Sequence, residues 1–162
     1  MASLWAFEDR KAPQIHFATC QQHFPENFWN PAFQRHANSA VGIAGIVAVA
    51  EHPEGHSRFF EVFAGVSPIA IAGGFEIRTP RGTIEIVTPE NFTHRFGVNA
   101  PDVSRGPRLA ALRFGVADTS LLEAVPEQAG IAGIFAGNPT VVGPDDAMGA
   151  TLIFEPVVRE AR

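Results

Sequence analysis

The sequence has no tyrosine, only one cysteine and no long apolar run. The single cysteine, Cys20, excludes an internal disulfide, and this is typical of a protein from a reducing compartment. No apolar stretch reaches the ~18–20 residues that a membrane-spanning helix requires. The first residues, MASLWAFEDRK, lack the basic and apolar regions of a signal peptide. We therefore expect a soluble, cytoplasmic protein.

The sequence also lacks a concentration of positive charge. Lys and Arg number 12 against 17 Asp and Glu, so the formal net charge is −5. A nucleic-acid-binding protein needs a basic face that displaces counterions. We therefore expect neither a nucleic acid nor a membrane as a partner, and a small-molecule ligand instead.

Apolar residues and turn-forming residues are abundant. Hydrophobic residues make up 46% of the 162 residues, and there are 15 Gly and 13 Pro. Enough apolar surface is therefore available to offset the entropy cost of folding one compact domain, or two small modules sharing one core. The many Gly and Pro predict short elements and frequent turns, which favours a strand-rich fold.

The predicted elements follow the same order twice along the chain. A strand, a helix and three strands are predicted over 41–88 and again over 108–157, and the final strands read GTIEIVTP and GATLIFEP. One such module leaves an apolar sheet face exposed, so two must pair. The predicted fold class is α+β, with two paired βαβββ modules in a curved mixed or antiparallel sheet around a cleft. The first module spans 41–97, the linker 98–107 and the second module 108–162.

Residues 1–40 precede this repeat. Two extended segments within Leu4–Gln22 predict a hairpin, and an aromatic crossing segment follows at 25–40. A hairpin alone is marginal in water, so it must contact something else. Residues 1–40 are either a family-specific extension or the remnant of a preceding module pair, in which case the chain is a fragment. We also expect a homodimer that buries the hairpin or the 23–40 segment.

Two segments carry a resemblance to a known family. CQQHFPENFWNPAFQRHANSA at 20–40 and RGTIEIVTPENFTHRF at 81–96, together with the doubled module, resemble the vicinal-oxygen-chelate superfamily (glyoxalase, bleomycin-resistance and dioxygenase proteins), in particular bacterial glyoxalase-like domain proteins. The resemblance implies a small-molecule enzyme of lyase, isomerase or dioxygenase type. The alternatives are a non-catalytic module that sequesters a ligand and a structural half of a larger protein.

The resemblance also implies where a metal would lie. In metal-binding members each module supplies one ligand near the start of its first strand and one on its last strand. The matching positions here are Gly45, Glu85, Ala111 and Ile153, or Glu155 in place of Ile153 if the alignment shifts by two residues. Only one of the first four has a donor side chain, and one carboxylate cannot hold a catalytic divalent ion. We therefore expect no metal at this position, with Glu85 as a residual candidate ligand.

Strand alternation places Leu109, Ala111 and Arg113 on one face, and Glu85 on a face that would converge with it. Arg113 binds a ligand carboxylate, forms an ion pair with Glu85 or Glu155, or is exposed to solvent. Further ligand-binding candidates at the pocket mouth are aromatic or polar residues of the crossing segment: Trp29, His36 and Asn38. For the last two, capping the turn before the next strand is the alternative.

A second group of possible metal ligands lies in the hairpin. His16, Cys20 and His23 are side chains that a soft divalent ion accepts. On a strand, however, residues 16 and 20 face one way and residue 23 the other. Cys20 beside a histidine would also suit a nucleophile pair, but no third, orienting residue is evident.

Overall fold

The computed structural model describes residues 2–122, 131, 134–135 and 139–157. Three short 3-10 turns lie at Pro25–Asn27, Pro31–Phe33 and Pro53–His56. The helices are α1 (Ser57–Ala64) and α2 (Pro89–Phe96). The strands are β1 (Ala2–Phe7), β2 (Phe17–Gln22), β3 (Ala40–Val49), β4 (Ile69–Ile71), β5 (Gly74–Thr79), β6 (Gly82–Val87), β7 (Arg108–Val116), β8 (Ile134–Phe135), β9 (Thr140–Val142) and β10 (Thr151–Pro156).

Eight of these strands form one mixed sheet in the order β4-β5-β6-β3-β7-β10-β9-β8. Within each half, the first and last strands are parallel, β3 with β6 and β7 with β10. The halves join edge to edge because β3 and β7 pair antiparallel. The predicted α+β class with two paired βαβββ modules is confirmed. The division into separate domains stays a prediction.

The helix predicted over 118–130 is described only at its beginning. Leu121 and Leu122 are helical, and 123–130 lie outside the described residues. Asp118 Oδ1 accepts hydrogen bonds from the Ser120 hydroxyl at 2.6 Å and from the Ser120 backbone N–H at 2.9 Å. These bonds hold the pKa of Asp118 below its ordinary value, and the bond from the Ser120 hydroxyl has the larger effect. They fix the turn that leads into the helix.

Helix α1 covers one face of the first module, which we call the outer face. The helix ends where Gly65 adopts a left-handed conformation with φ of 68°. The Phe60 side chain is 4% exposed and lies with its ring centroid 6.0 Å from that of Phe75 on β5. The outer-face core also contains Ala48, Ile77 and Ile86.

Helix α2 covers part of the opposite face, which we call the inner face. Its first turn is capped by the Thr88 hydroxyl, which accepts from the Asn91 N–H at 3.2 Å. Phe92 and Phe96 from this helix pack with Val47 and Val87 in a second core. None of the helices in the described residues is long and apolar enough to cross a membrane.

The predicted hairpin forms its own two-stranded sheet from β1 and β2. It contacts α1 through aromatic rings, with the Phe17 centroid 5.1 Å from those of Phe59 and Phe60. A buried polar pair lies beside them, where Asp9 Oδ2 is 2.7 Å from His56 Nδ1. The hairpin is therefore stabilised by packing on α1 and is not a strand pair of the main sheet.

One prediction about strand alternation is wrong. Leu109 was expected on the same face as Ala111 and Arg113, but the β3–β7 pairing shifts between Val47 and Ala48. Leu109 therefore pairs with Ala48, which belongs to the outer-face core. An extra residue at such a bulge interrupts the two-residue period on which the prediction depended.

Candidate functional site

The strand register places the residues matched to metal ligands on the inner face, in two neighbouring rows. Residues paired across adjacent strands point to the same side of a sheet. One row therefore contains Thr83, Gly45, Arg113 and Ile153. The next row contains Glu85, Val47, Ala111 and Thr151. The four positions thus come together from both modules.

Arg113 is the centre of an ion-pair network in these rows. Its Nη1 donates to Glu85 Oε1 and, at 2.9 Å, to Thr83 Oγ1. Its Nη2 donates to the two Glu155 oxygens at 2.8 and 2.9 Å, and its Nε donates to one of them at 3.2 Å. Arg95 Nη1 on α2 donates to the other Glu85 oxygen at 2.6 Å. The structure therefore shows Arg113 paired with both predicted carboxylates, and the guanidinium links the last strands of the two modules.

This network leaves Arg113 little capacity to bind an anion. A guanidinium has five N–H donors, and the carboxylates and Thr83 take most of them. Two arginines and two glutamates also give the network a formal charge of zero. The Arg113 side chain is 18% exposed and that of Glu85 is 3% exposed. The contacts of Arg113 therefore match the ion pair with Glu85 and Glu155 rather than a free guanidinium that binds a ligand carboxylate.

The same positions do not fit a divalent metal ion. Both Glu85 oxygens accept from arginines. A Cβ added at Gly45 would lie 2.6 Å from the Thr83 backbone and hydroxyl oxygens, so this position has no room for a ligand side chain. Ala111 and Ile153 are buried and apolar. Within the described part of the chain, no group of three His, Cys, Asp or Glu could hold a metal. A metal-free site stays a prediction.

The hairpin candidates do not form a cluster in the described residues. Cys20 is exposed, and its Sγ accepts from Gln22 Nε2 at 3.4 Å. His23 Nε2 lies 2.9 Å from the Ser3 hydroxyl oxygen. His16 is exposed just before β2. These contacts provide neither a set of metal ligands nor an oriented Cys–His pair.

A cleft of about 1260 Å³ lies at the end of the sheet where β3 begins. The crossing segment forms one wall, with Trp29 and Phe33 as its aromatic residues. The start of β3 and the β5–β6 turn form the other wall, which includes Ile43 and Arg81. The cleft lies there because β3 pairs with β6 only from Gly45 onward, so that its first residues have an edge with no β6 partner.

The predicted ligand-binding residues divide into three groups. Trp29 and His36 line the cleft. Asn38 does not, and its Oδ1 accepts from the Ala40 N–H at 3.2 Å, which holds the turn before β3. Glu85 and Arg113 also lie outside the lining. Arg113 is connected to the cleft by one residue, because it donates a hydrogen bond to Thr83, which lines the cleft.

Sequence reasoning missed two residues of this region, Arg81 and Thr83. Arg81 lies in the tight turn between β5 and β6, and a single cation in such a turn has no periodicity that marks it. Strand alternation puts Thr83 on the same face as Glu85, but it does not indicate a role for the hydroxyl. Arg95 was also missed, because α2 reaches Glu85 only in the folded chain.

No family model and no curated protein sequence matches the chain. Several solved structures are similar to the chain in fold. Methylmalonyl-CoA epimerase from Mycobacterium tuberculosis has a TM-score of 0.55 and 15% identity, covering 80% of this chain and 97% of that one. Hypothetical protein BH1468 from Bacillus halodurans C-125 has a TM-score of 0.55 and 12% identity, covering 75% and 97%. A Streptomyces coelicolor methylmalonyl-CoA epimerase variant in complex with 2-nitronate-propionyl-CoA has a TM-score of 0.51 and 15% identity, covering 76% and 100%. At such identity the likeness concerns the fold alone.

Proposed function

We propose that this chain, which has the vicinal-oxygen-chelate fold, is a glyoxalase-like small-molecule protein that binds its ligand in the cleft beside β3 without a metal ion. The observation that carries this proposal is the aromatic wall of the cleft. Trp29 is 62% exposed and Phe33 is 76% exposed. Large apolar side chains grouped in a concave site are characteristic of ligand pockets. A bound organic molecule would remove their apolar surface from water.

The lining favours ligand binding over catalysis. His36 is the one histidine of the described lining, and histidine is the side chain most often used in general acid–base catalysis. No carboxylate or cysteine among the described lining residues lies there to act as its partner in acid–base or nucleophilic chemistry. We therefore favour a protein that sequesters its ligand. An isomerase or lyase is the alternative, and the Streptomyces coelicolor neighbour, seen with 2-nitronate-propionyl-CoA, supports a small organic ligand in either case.

We further infer a cytoplasmic homodimer. The single cysteine supports the compartment. Phe24 and Phe28 of the 23–40 segment are 50% and 63% exposed and lie outside the cleft lining, which supports an interface there.

A neutral apolar probe tests the proposed site. We expect 1-naphthalenemethanol to bind the wild-type protein, and Trp29→Ala to weaken binding about tenfold, because aromatic contacts add to the burial of apolar area. Ligand-observed NMR titration measures the affinity. Trp5→Ala is the matched control, since Trp5 is 51% exposed on β1 and lies outside the cleft lining.

The same titration tests metal independence. We expect dialysis against EDTA to leave the affinity unchanged. The proposal is wrong if the two tryptophan variants lose equal affinity, or if binding requires added zinc, iron or manganese.

A further inference from the structure

We propose that the cleft selects an aryl monocarboxylate and that Arg81 binds the carboxylate. This inference rests on the proposed function, because it assigns the ligand class of the same cleft. It also differs from the expectation based on Arg113, whose guanidinium already pairs with Glu85 and Glu155.

The charge of the lining indicates an anion. Among the described lining residues, the titratable side chains are Arg81 and His36, and there is no Asp or Glu. A ligand carboxylate in the cleft would therefore meet a fixed positive charge and no like charge at close range. The protein as a whole has a net charge of −5, so this local excess of positive charge is not a general property of its surface.

Arg81 is available to a ligand. Four other arginines of the described chain have a glutamate within 4.0 Å, whereas Arg81 has no acidic partner among the described residues. The paired ones are Arg58, Arg78, Arg95 and Arg113. A planar guanidinium with free donors matches the two oxygens of a carboxylate in a bidentate arrangement.

The turn that carries Arg81 is fixed in place. The Thr79 hydroxyl donates to the Gly82 carbonyl oxygen at 2.7 Å and accepts from the Arg81 N–H at 3.3 Å. Gly82 lies so close to β3 that an added Cβ would be 2.6 Å from the Ala44 carbonyl oxygen. The backbone of Arg81 is therefore ordered before a ligand arrives, and binding has only the side chain to immobilise.

The remaining lining defines the body of the ligand. Trp29 and Phe33 offer aromatic faces on one wall, and Val41 and Ile43 offer branched aliphatic side chains at the start of β3. Flat aromatic rings pack well against such walls. A small inorganic anion would leave these side chains exposed, so an aromatic ring system with one carboxylate matches the cleft better than a phosphate ion.

Two probes with the same ring system test this assignment. We expect wild-type protein to bind 1-naphthoate at least tenfold more tightly than neutral 1-naphthalenemethanol, as measured by NMR titration or calorimetry. Arg81→Met should abolish this preference and leave the affinity for the neutral probe unchanged. Arg81→Lys should retain part of the preference, because it keeps the charge but loses the bidentate geometry.

Arg35→Met is the matched control. Arg35 belongs to the same wall segment but does not line the cleft, and its substitution should keep the preference for the carboxylate. The inference is overturned if the wild type binds both probes equally while Trp29→Ala still weakens the neutral one, a result that leaves the proposed function intact. Equal losses in Arg81→Met and Arg35→Met would also overturn it. If neither probe binds, the proposed function fails as well.

Discussion

At the scale of single residues, a guanidinium occupies the inner-face region to which the resemblance assigns metal ligands. Arg113 joins Glu85 on β6 to Glu155 on β10, so it connects the modules much as a shared cation would. Burying an ion pair costs desolvation free energy, and additional hydrogen bonds to both partners are needed to offset that cost. Thr83 and Arg95 provide those additional bonds here.

Gly45 is the residue whose substitution most directly tests this packing. We expect Gly45→Ala to lower the free energy of unfolding by about 1–3 kcal/mol, the usual range for overpacking a filled region. The added methyl would lie 2.6 Å from the Thr83 oxygens. Urea denaturation followed by circular dichroism measures the change.

Gly42→Ala is the control for this substitution. A Cβ at Gly42, on the same strand, would meet no atom within 4 Å, so its effect should stay within about 0.5 kcal/mol. Equal effects of the two substitutions would show that Gly45 is not held against Thr83 in solution.

At the scale of elements, the hairpin depends on a buried polar contact as well as on aromatic packing. Asp9 and His56 are each 8% exposed, and Asp9 Oδ1 also accepts from the Lys11 N–H at 3.0 Å. The Asp9 carboxyl therefore contacts both the Lys11 N–H and the His56 ring nitrogen. The pair connects the loop after β1 to the start of α1.

We expect Asp9→Ala to destabilise the hairpin, because it leaves the buried His56 Nδ1 without its partner. An unsatisfied buried polar group costs about 1–3 kcal/mol. Faster hydrogen exchange of the β2 amides, together with a lower urea midpoint, would report the loss. Glu54→Ala is the control, since the His52–Glu54 contact is exposed and such pairs contribute about 0–1 kcal/mol. Unchanged exchange in Asp9→Ala would mean that the aromatic rings alone hold the hairpin.

At the scale of the whole molecule, the 23–40 segment exposes aromatic side chains beyond those that line the cleft. Outside the cleft lining, its aromatic side chains Phe24 and Phe28 are 50% and 63% exposed. Each such side chain buries roughly 150–250 Å² when fully covered. Contiguous exposed patches above a few hundred Å² are characteristic of interfaces.

We therefore expect the protein to be a homodimer at micromolar concentration, and Phe28→Asp to convert it to a monomer. Light scattering coupled to size-exclusion chromatography measures the mass. Val62→Asp is the control, because Val62 is 65% exposed on α1 and does not belong to the 23–40 segment. A monomeric wild-type protein would contradict this prediction.

The sequence by itself determined the elements and their order. Apolar periodicity and turn residues are local signals, and the strand, helix and three strands predicted over 41–88 correspond to elements of the structure. Strand alternation also led to the expectation that the faces carrying Glu85 and Arg113 converge, and the two residues lie in neighbouring rows of the inner face.

Only the tertiary structure decided how those residues are used. The bulge that places Leu109 on the outer face depends on the pairing of β3 with β7, which are distant in sequence. The partners of Arg113 come from strands on either side of it, and Arg95 arrives from a helix. The cleft forms where the crossing segment lies beside the first residues of β3. The position of Arg81 in it depends on this tertiary packing and not on a local sequence pattern. Local patterns reflect short-range sterics and burial, whereas the site depends on which distant side chains come within hydrogen-bonding reach.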